Sequence, residues 1–357
     1  MAKINPEFSK KIKKYGGFDL NACYNCGNCT AVCSLSTEEN SFPRKIVRYS
    51  VLGLDDELKT SVDPWLCYYC GECSKTCPQK ANPGELMMSV RRWLISKYDW
   101  TGISGLFYTS KIALFTAFIL VGIAFITVAF VKKFNTEELM HFGHQFEQYL
   151  IYAVFVLIII PNIFRMFWFT IIKNKIKVPV SLYITGFPTF ILHMFTQKNS
   201  LKCDDNNSAF RRWFEHLLVV TGYLGLLILT VFFNWFTTEN PVVIWLGYIV
   251  GGLVFVFTFD FIIARSRKKK EITKFSHTTD WLFVIWLFLL GFTAFIIRIL
   301  IDTDLINENL WLYIIHLIII AQWGMLIVPF GKWTHFLYRS FAMYFANIIN
   351  SEKNIDN

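Results

Sequence analysis

The sequence predicts an all-α protein in two parts, a small helical domain at the N-terminus and a bundle of six transmembrane helices after it. Of the 357 residues, 54% are hydrophobic and 18% are aromatic, but their distribution is uneven. Charges are scattered through residues 1–100, whereas long apolar stretches recur from Phe107 onward. No strand-rich region interrupts this pattern. We therefore divide the chain into residues 1–100, residues 101–345 and a polar tail, 346–357.

Six apolar stretches predict the transmembrane helices, because each approaches the ~20 residues that a helix needs to cross the hydrocarbon layer. They occupy residues 107–131, 146–172, 213–236, 241–264, 280–301 and 309–331. Buried helices of a large soluble protein are the alternative. However, segments 150–160 and 282–297 are apolar on every face, and six such segments in succession are too many for a soluble core.

Basic residues are concentrated in alternate connections of this bundle, after the second, fourth and sixth stretches. They include Lys173, Lys175, Lys177, the basic run 265–270, Lys332 and Arg339. The opposite connections are acidic or nearly neutral apart from Lys132 and Lys133. The positive-inside rule therefore predicts that both termini and the N-terminal domain lie on the cytoplasmic side of the inner membrane. The same bias accounts for the net charge of +9, so that no nucleic-acid partner is required.

Helical spacing also predicts the smaller elements. In residues 84–98, apolar residues such as Leu86, Val90 and Trp93 recur three to four positions apart, which predicts a helix that leads into the first span. Residues 43–60 are expected to form short helices. The long connection at 174–212 is expected to contain an amphipathic helix that lies on the membrane surface.

Eight of the nine cysteines form two runs with the same spacing, and the second run is followed by a proline. The runs are Cys23, Cys26, Cys29 and Cys33, then Cys67, Cys70, Cys73 and Cys77. This is the spacing of bacterial two-cluster ferredoxins, in which the fourth cysteine of each run ligates the other run's cluster. The spacing therefore predicts a helical two-cluster ferredoxin domain with two [4Fe–4S] clusters, whose chemistry is the transfer of single electrons.

That ferredoxin pattern defines two ligand sets, one of Cys23, Cys26, Cys29 and Cys77, the other of Cys67, Cys70, Cys73 and Cys33. Structural zinc is an alternative, but it needs only two Cys-x2-Cys pairs and leaves the triple run unexplained. Disulfides are a second alternative, and no secretion signal precedes the cysteines to support it. The ninth cysteine, Cys203, is expected to be an incidental thiol.

Electrons that reach a bilayer need a lipid-soluble carrier or a second metal centre, and the seven histidines are the candidate ligands. His316 lies inside the sixth span, where an ionisable group is costly and usually functional. His335 follows 19 positions later, just beyond the cytoplasmic end. In a continuous helix the two would lie roughly 28 Å apart along the axis, and a kink at Pro329 would correct their azimuth. This layout is typical of a helix that holds two stacked haems b.

Each haem would need a second imidazole from another span. We expect His216, at the start of the third span, to pair with His335. For the outer haem the sequence offers His144 and His141, and we prefer His144 because it lies closer to the apolar run. His193 and His277 are competitors for the inner haem, or serve a quinone, or are ordinary interfacial histidines.

Quinone chemistry also needs a proton acceptor near the haem. Glu215, Asp260 and His277 lie near the cytoplasmic face and are candidates, although Glu215 and Asp260 also fit as charges at the interface. No catalytic residue is assigned. No segment has a nucleotide-binding or flavin-binding motif.

Several segments carry a resemblance to known families. The N-terminal domain, with segments 41–44 and 53–57 between the cysteine runs and 77–84 after them, resembles the C subunit of heterodisulfide reductases. Its fusion to a six-span haem b domain resembles the membrane-embedded C subunit of the quinone-interacting membrane-bound oxidoreductase (Qmo) complex. The ending from His316 to His335 is similar to the gamma subunit of respiratory nitrate reductase, which is a di-haem cytochrome b.

One position departs from the nitrate reductase pattern. That pattern has a second histidine ten residues after the one equivalent to His216, and here the position is Leu226. The outer haem must therefore take His144 or His141 as its second ligand, or be absent.

The resemblance implies a subunit of a quinone-linked oxidoreductase that shares catalysis with its partners. It would exchange electrons between a quinone pool, with menaquinone as the expected quinone, and flavoproteins related to the A subunit of heterodisulfide reductase. Two other functions stay open. One is the membrane subunit of a heterodisulfide reductase-type complex that feeds a disulfide-reducing partner, and the other is a membrane redox sensor.

Overall fold

The computed structural model describes residues 3–17, 20–196, 198, 201, 207–269 and 271–356. It is 76% helical, and its described residues contain no strand. The predicted all-α fold class, with a ferredoxin-like region before six apolar helices, is confirmed. Cys203 lies outside the described residues.

The N-terminal domain is built from short helices and one long one. They are Phe8–Lys14, Asn28–Ala31, Arg44–Leu52, Asp55–Thr60, Asp63–Leu66, Glu72–Lys75 and Pro83–Tyr98, with a 3₁₀ turn at Leu20–Ala22. Pro83 suits the first turn of the long helix because N–H groups in that turn have no acceptor within the helix, so that the N–H that proline lacks is not needed. Trp93 on this helix is fully buried, and the ring of Phe8 packs edge-on against it at 5.0 Å.

Six helices of the described chain are long and apolar enough to cross a membrane, as the sequence predicts. We number them spans one to six: Lys111–Val131, Thr136–Ile172, Phe210–Phe233, Pro241–Arg267, Thr278–Asp302 and Leu310–Glu352. Helix Ile103–Thr109 precedes span one, and Glu271–Lys274 precedes span five. The helix of span three begins at Asn207 and ends at Phe233.

Two spans are not regular helices throughout. Span two consists of Thr136–Val154 and Ile160–Phe167, each followed by a π-helical turn, Phe155–Ile159 and Trp168–Ile172. Span six consists of Leu310–Gln322, a π-helical turn at Trp323–Ile327, Val328–Phe330 and Thr334–Asp356.

The break in span six differs from the continuous, kinked helix that the sequence suggests. Gly331 has extended backbone, and its N–H donates to the Ile327 carbonyl at 3.0 Å. Pro329 has no N–H to continue the ladder, so the helix ends within one turn of it. A Cβ on Gly331 would lie 2.7 Å from that same carbonyl, which requires glycine there. His335 therefore lies in the first turn of a new helix.

The connection after span two contains a helix, Val180–Thr196, which packs along Thr334–Asp356. Gly186 allows this close approach, because a Cβ there would lie 2.9 Å from Ile348. The rings of Phe190 and Phe341 pack at 4.6 Å. A helix therefore exists within 174–212 as expected, but it is apolar along its length and one of its sides is covered by protein.

Aromatic packing joins the N-terminal domain to the helical bundle. Trp65, which is fully buried, contacts the ring of Tyr98 at 6.3 Å and that of Tyr338 in span six at 5.4 Å. On the same side, Arg165 of span two donates to the carbonyls of Lys97 and Tyr98 at 3.1 and 3.0 Å. The two parts therefore share one core at their junction.

Because Trp65 fills that core, we expect Trp65→Ala to lower the free energy of unfolding by about 3–5 kcal/mol. Thermal unfolding of the detergent-solubilised protein measures this loss. Leu52→Ala, at a residue that is 45% exposed, is the control and should change little. Equal stability of the two variants would contradict the shared core.

Candidate redox sites

The two cysteine runs fold into the same local structure. Gly27 has a φ of 93° and precedes helix Asn28–Ala31, and Gly71 has a φ of 91° and precedes helix Glu72–Lys75. Glycine adopts this left-handed conformation without steric cost, so the chain reverses tightly after the second cysteine of each run. The repeated sequence pattern therefore produces a repeated cradle.

Backbone amides are directed at cysteine sulfur in both cradles. The N–H groups of Asn25, Tyr69 and Ala81 donate to Sγ of Cys23, Cys67 and Cys77 at 3.4, 3.3 and 3.4 Å. Hydrogen bonds of this kind stabilise thiolate sulfur and tune the potential of iron–sulfur clusters.

The structure brings the cysteines together in the two sets that the ferredoxin pattern defines. One small cavity is lined by Cys23, Cys26, Cys29 and Cys77. On the other side, the Cys33 thiol interacts electrostatically with Cys67 and Cys70, and Cys73 interacts with all three of these. The fourth cysteine of each run thus lies with the other run.

Burial, with a smaller contribution from nearby Cys67 and Cys70, raises the pKa of Cys33 to about 11. Burial also raises the pKa of Cys73, with the same neighbours adding to the effect. Four thiols that would repel one another as thiolates are typical of a site whose charge is balanced by a metal group.

These residues fit [4Fe–4S] clusters better than a single ion. Among the described residues, no group of three or more Cys, His, Asp or Glu side chains is arranged to hold one metal ion. A cubane has an iron atom at each of four separate corners, so its four thiolate ligands lie farther apart than the ligands of a single ion. The eight thiols, two tight turns and N–H···S bonds therefore suit two clusters.

The two cysteine sets differ in exposure. Cys67 is buried, whereas Cys26 is exposed and its neighbour Tyr24 is 75% exposed. The hydrogen bonds of the first run stay within the N-terminal domain, as in that from Arg44 Nε to Asn25 Oδ1 at 2.8 Å. The second run therefore lies deeper, towards the helical bundle.

Arg91 connects the second run to the bundle. Its buried guanidinium donates to the carbonyls of Pro64 at 2.6 Å, Trp65 at 3.0 Å, and Cys67. Its Nη1 lies 3.0 Å from Nε2 of His335. A guanidinium carries only hydrogen-bond donors, so we assign Nε2 of His335 as the acceptor and Nδ1 as protonated.

A second buried network anchors the same helix. Arg92 binds Glu85 at 3.0 Å and Asp280 of span five at 2.7 Å, and Lys332 binds Asp280 at 3.0 Å. The Tyr69 hydroxyl, next to the second run, donates to Glu85 at 2.7 Å. Burial raises the pKa of Glu85, and Arg92 opposes that rise. Such networks persist only when each charge is partnered.

The inner cavity, which lies on the side of the N-terminal domain, contains two of the predicted haem ligands. Both His216 and His335 line it, together with Lys332, Arg265 and Trp333. The structure thus places His216 and His335 at the same cavity. If haem were bound through Nε2 of His335, Arg91 would have to release that atom.

His316 lies at the other end of the bundle, where a buried histidine is free to bind a ligand. The Thr293 hydroxyl donates to the Leu289 carbonyl at 2.7 Å, so it accepts from Nδ1–H of His316, also at 2.7 Å. Nε2 of His316 is buried and has no hydrogen-bond partner among the described residues. It therefore directs a lone pair into the protein interior, the arrangement that a metal-bound histidine needs.

Two adjoining outer cavities meet at His316. The lining of one is largely apolar and includes Leu226, and the lining of the other includes His144. His141 is exposed, whereas His144 lines the cavity and contacts Gln148 at 3.2 Å. The structure therefore places His144, rather than His141, in the same space as His316.

The other sequence candidates lie apart from these cavities. Arg211 binds Glu215 at 2.5 Å and lies 3.8 Å from Asp260, in an exposed ion-pair group. His277 caps span five through the Thr279 amide, and burial lowers its pKa to about 4. His193 is buried on the helix Val180–Thr196.

Glu147 is a candidate that the sequence analysis missed. It lies in span two, one turn after His144, and lines both outer cavities together with His316 and Thr230. The Thr230 hydroxyl is 3.4 Å from its carboxylate. A carboxyl inside a membrane span is a functional candidate by default. Its spacing of three from His144 was the available signal.

Comparisons with known proteins agree with the cysteine chemistry. The model of a 4Fe-4S dicluster domain matches residues 19–81. A protein of Archaeoglobus profundus, named as similar to the C subunit of heterodisulfide reductase, is 34% identical over 97 residues, 27% of this chain and 52% of that protein. The C subunit of the H(2):CoB-CoM heterodisulfide,ferredoxin reductase of Methanothermobacter marburgensis is 39% identical over 77 residues, 22% of this chain and 42% of that protein.

The chain spans about half the length of the curated relatives it matches. No solved structure matches. The matched domain ends at residue 81, before span one. The N-terminal region thus contains a 4Fe–4S dicluster domain and is homologous to the C subunit of heterodisulfide reductase.

The grouping of the cysteines gives a direct test. We expect Cys77→Ser to impair the cluster held with Cys23, Cys26 and Cys29, although Cys77 belongs to the second run in sequence. Non-haem iron should fall from about eight towards about four atoms per chain, because each cubane holds four. Electron paramagnetic resonance (EPR) of the reduced protein should retain one cluster signal.

Cys203→Ser is the control for that experiment and should keep the full iron content. Loss of both signals in Cys77→Ser, with folding intact by circular dichroism, would contradict two separate sets.

Proposed function

We propose that this chain is a membrane electron-transfer subunit of a quinone-linked oxidoreductase. It passes electrons between a quinone pool, b-type haem in the bundle and the two [4Fe–4S] clusters, and shares catalysis with cytoplasmic partners. The observation that carries the proposal is that the second cysteine run meets a histidine-lined cavity of the bundle at His335, whose ring lies 5.9 Å from that of Trp65.

The histidines are proposed to hold haem in two places. His216 and His335 would bind it in the inner cavity, and His316 with His144 would bind it in the outer cavities. The support is that each pair lines common space, and that Nε2 of His316 is buried without a partner among the described residues. When bound, haem and clusters would supply one-electron chemistry, which converts the two-electron reaction of a quinol into single steps.

Glu147 is proposed to accept one of the two protons that the quinol releases. Oxidation of a quinol to a quinone releases two electrons and two protons, and an apolar cavity offers few groups that accept a proton. Glu147 is the carboxyl group that lines both outer cavities with His316, and the Thr230 hydroxyl lies 3.4 Å from it. Glu215 and Asp260 are less suited because Arg211 neutralises them at the surface.

The remaining assignments rest on charge and on the relatives. The basic connections support an N-terminal domain on the cytoplasmic side, with both termini there, in the inner membrane. The partners are proposed to be flavoproteins related to the A subunit of heterodisulfide reductase, with menaquinone as the quinone. A heterodisulfide reductase-type complex is the second candidate, since the similar proteins bear that name.

His316 gives the first test of haem binding. We expect His316→Ala to remove one b-type component from the dithionite-reduced visible spectrum and to leave the cluster signals unchanged. Thr293→Val should retain that haem but raise its midpoint potential, because an Nδ1–H without an acceptor makes the imidazole a weaker donor.

Thr127→Val is the matched control, since its hydroxyl bonds only the Ile123 carbonyl on the exposed side of span one. A full complement of haem in His316→Ala, with normal folding, would rule out His316 as a ligand.

Glu147→Gln tests the proton acceptor. We expect it to slow quinol-driven reduction of the protein by roughly 10²–10⁴-fold, the usual contribution of a positioned base. Stopped-flow absorbance with reduced menadione measures the rate, and the haem spectrum should stay unchanged. Glu215→Gln is the control and should react at nearly the original rate. Equal rates in both variants would exclude Glu147.

A further inference from the structure

The two cysteine sets are not equivalent with respect to the bundle, and this asymmetry gives the order of the electron relay. We propose that the cluster of Cys67, Cys70, Cys73 and Cys33 exchanges electrons with the membrane site. We call this the second-run cluster, and Arg91 is the residue that positions it. The cluster of Cys23, Cys26, Cys29 and Cys77, the first-run cluster, would be the terminal one. This inference rests on the proposed function and specifies its path.

Three contacts place the second run against the bundle. Trp65 lies 5.9 Å from the ring of His335, Tyr68 lies under the guanidinium of Arg339 at 5.3 Å, and Tyr69 reaches the Glu85 network. Each of the first two contacts joins a residue within two positions of Cys67 to span six. The second run is therefore held to the membrane helices through its own flanking residues.

Arg91 completes this attachment. Three carbonyls in the turn before and at Cys67 accept from its Nε and Nη2, which fixes the backbone that carries the first cysteine of the run. Its Nη1 meanwhile contacts His335. One buried side chain thus spans the gap between the cysteine loop and the wall of the inner cavity.

The charge of Arg91 has a further consequence. A reduced cluster carries one more negative charge than an oxidised one, and a nearby buried cation stabilises it. Arg91 should therefore raise the potential of the second-run cluster and favour electron transfer from the membrane site. It has a counterpart in Arg44, which lines the cavity of the first set.

The first set has the opposite surroundings. Tyr24 is 75% exposed, and Cys26 is exposed. The Arg44 side chain, which bonds Asn25, belongs to the N-terminal domain itself. This cluster would therefore lie nearer to the aqueous phase, where electrons enter or leave the chain.

The two arginines make a matched pair of variants for potentiometric EPR titration of the full-length protein. We expect Arg91→Gln to lower the midpoint potential of one cluster, and Arg44→Gln to lower that of the other. Arg91→Lys should restore most of the potential, because it keeps the charge while losing the planar contacts. If the role of Arg91 were only structural, Arg91→Gln would change the stability of the protein without shifting the midpoint potential of one cluster selectively.

Cysteine variants test the order without depending on Arg91. Protein reduced in vesicles that contain menaquinone should reoxidise its second-run cluster normally in Cys26→Ser. In Cys70→Ser, the remaining first-run cluster should lose reoxidation by the quinone, although soluble ferricyanide still oxidises it. The reverse pattern would overturn the proposed order. Loss of quinone reactivity in both variants and in the unmodified protein would instead contradict the proposed function.

Discussion

A buried network of charges at the junction of the two domains is the constraint on which the rest of the structure depends. Arg92 joins Glu85 of the N-terminal domain to Asp280 of span five, and Arg91 on the same helix joins the Cys67 loop to His335. Removal of one partner from such a network costs about 3–5 kcal/mol, because a charge is then left buried and unpaired. The network therefore fixes the cysteine cradles against the membrane helices.

This rigidity has a functional reason. Single electrons pass between sites that are held close together, and a domain that moved on a flexible linker would change that separation continually. The helix Pro83–Tyr98 instead packs into the N-terminal core and supplies both arginines. The order of the relay then follows from burial, since the second run lies against span six and the first run faces outward.

Local features of the fold could be predicted from the sequence. The cysteine spacing, the six apolar stretches and the helix at 84–98 are short-range patterns, and each is present in the structure. The pairs His216 with His335 and His316 with His144 also lie at common cavities. The histidine pairs could be predicted because the depth of a residue in a span follows from counting residues along the helix.

Features that depend on distant contacts could not be predicted. Arg91 and His335 are 244 positions apart, and Arg92 and Asp280 are 188 apart, so no local pattern connects them. In the sequence, Glu147 is an acidic residue near the end of a span, and only the folded structure shows that it lines a cavity with Thr230 and His316. The end of the helix near Gly331 is by contrast a local feature, which the sequence analysis interpreted as a kink at Pro329 rather than as a break.

The central claim is that the chain moves electrons through bound iron from a lipid phase to an aqueous one. The most direct measurement is the dithionite-reduced visible spectrum of the purified full-length protein, taken together with its metal content. The account predicts low-spin b-type bands and about eight non-haem iron atoms per chain, the content of two cubanes. A colourless preparation from iron-replete cells, or one with stoichiometric zinc in place of iron, would contradict it.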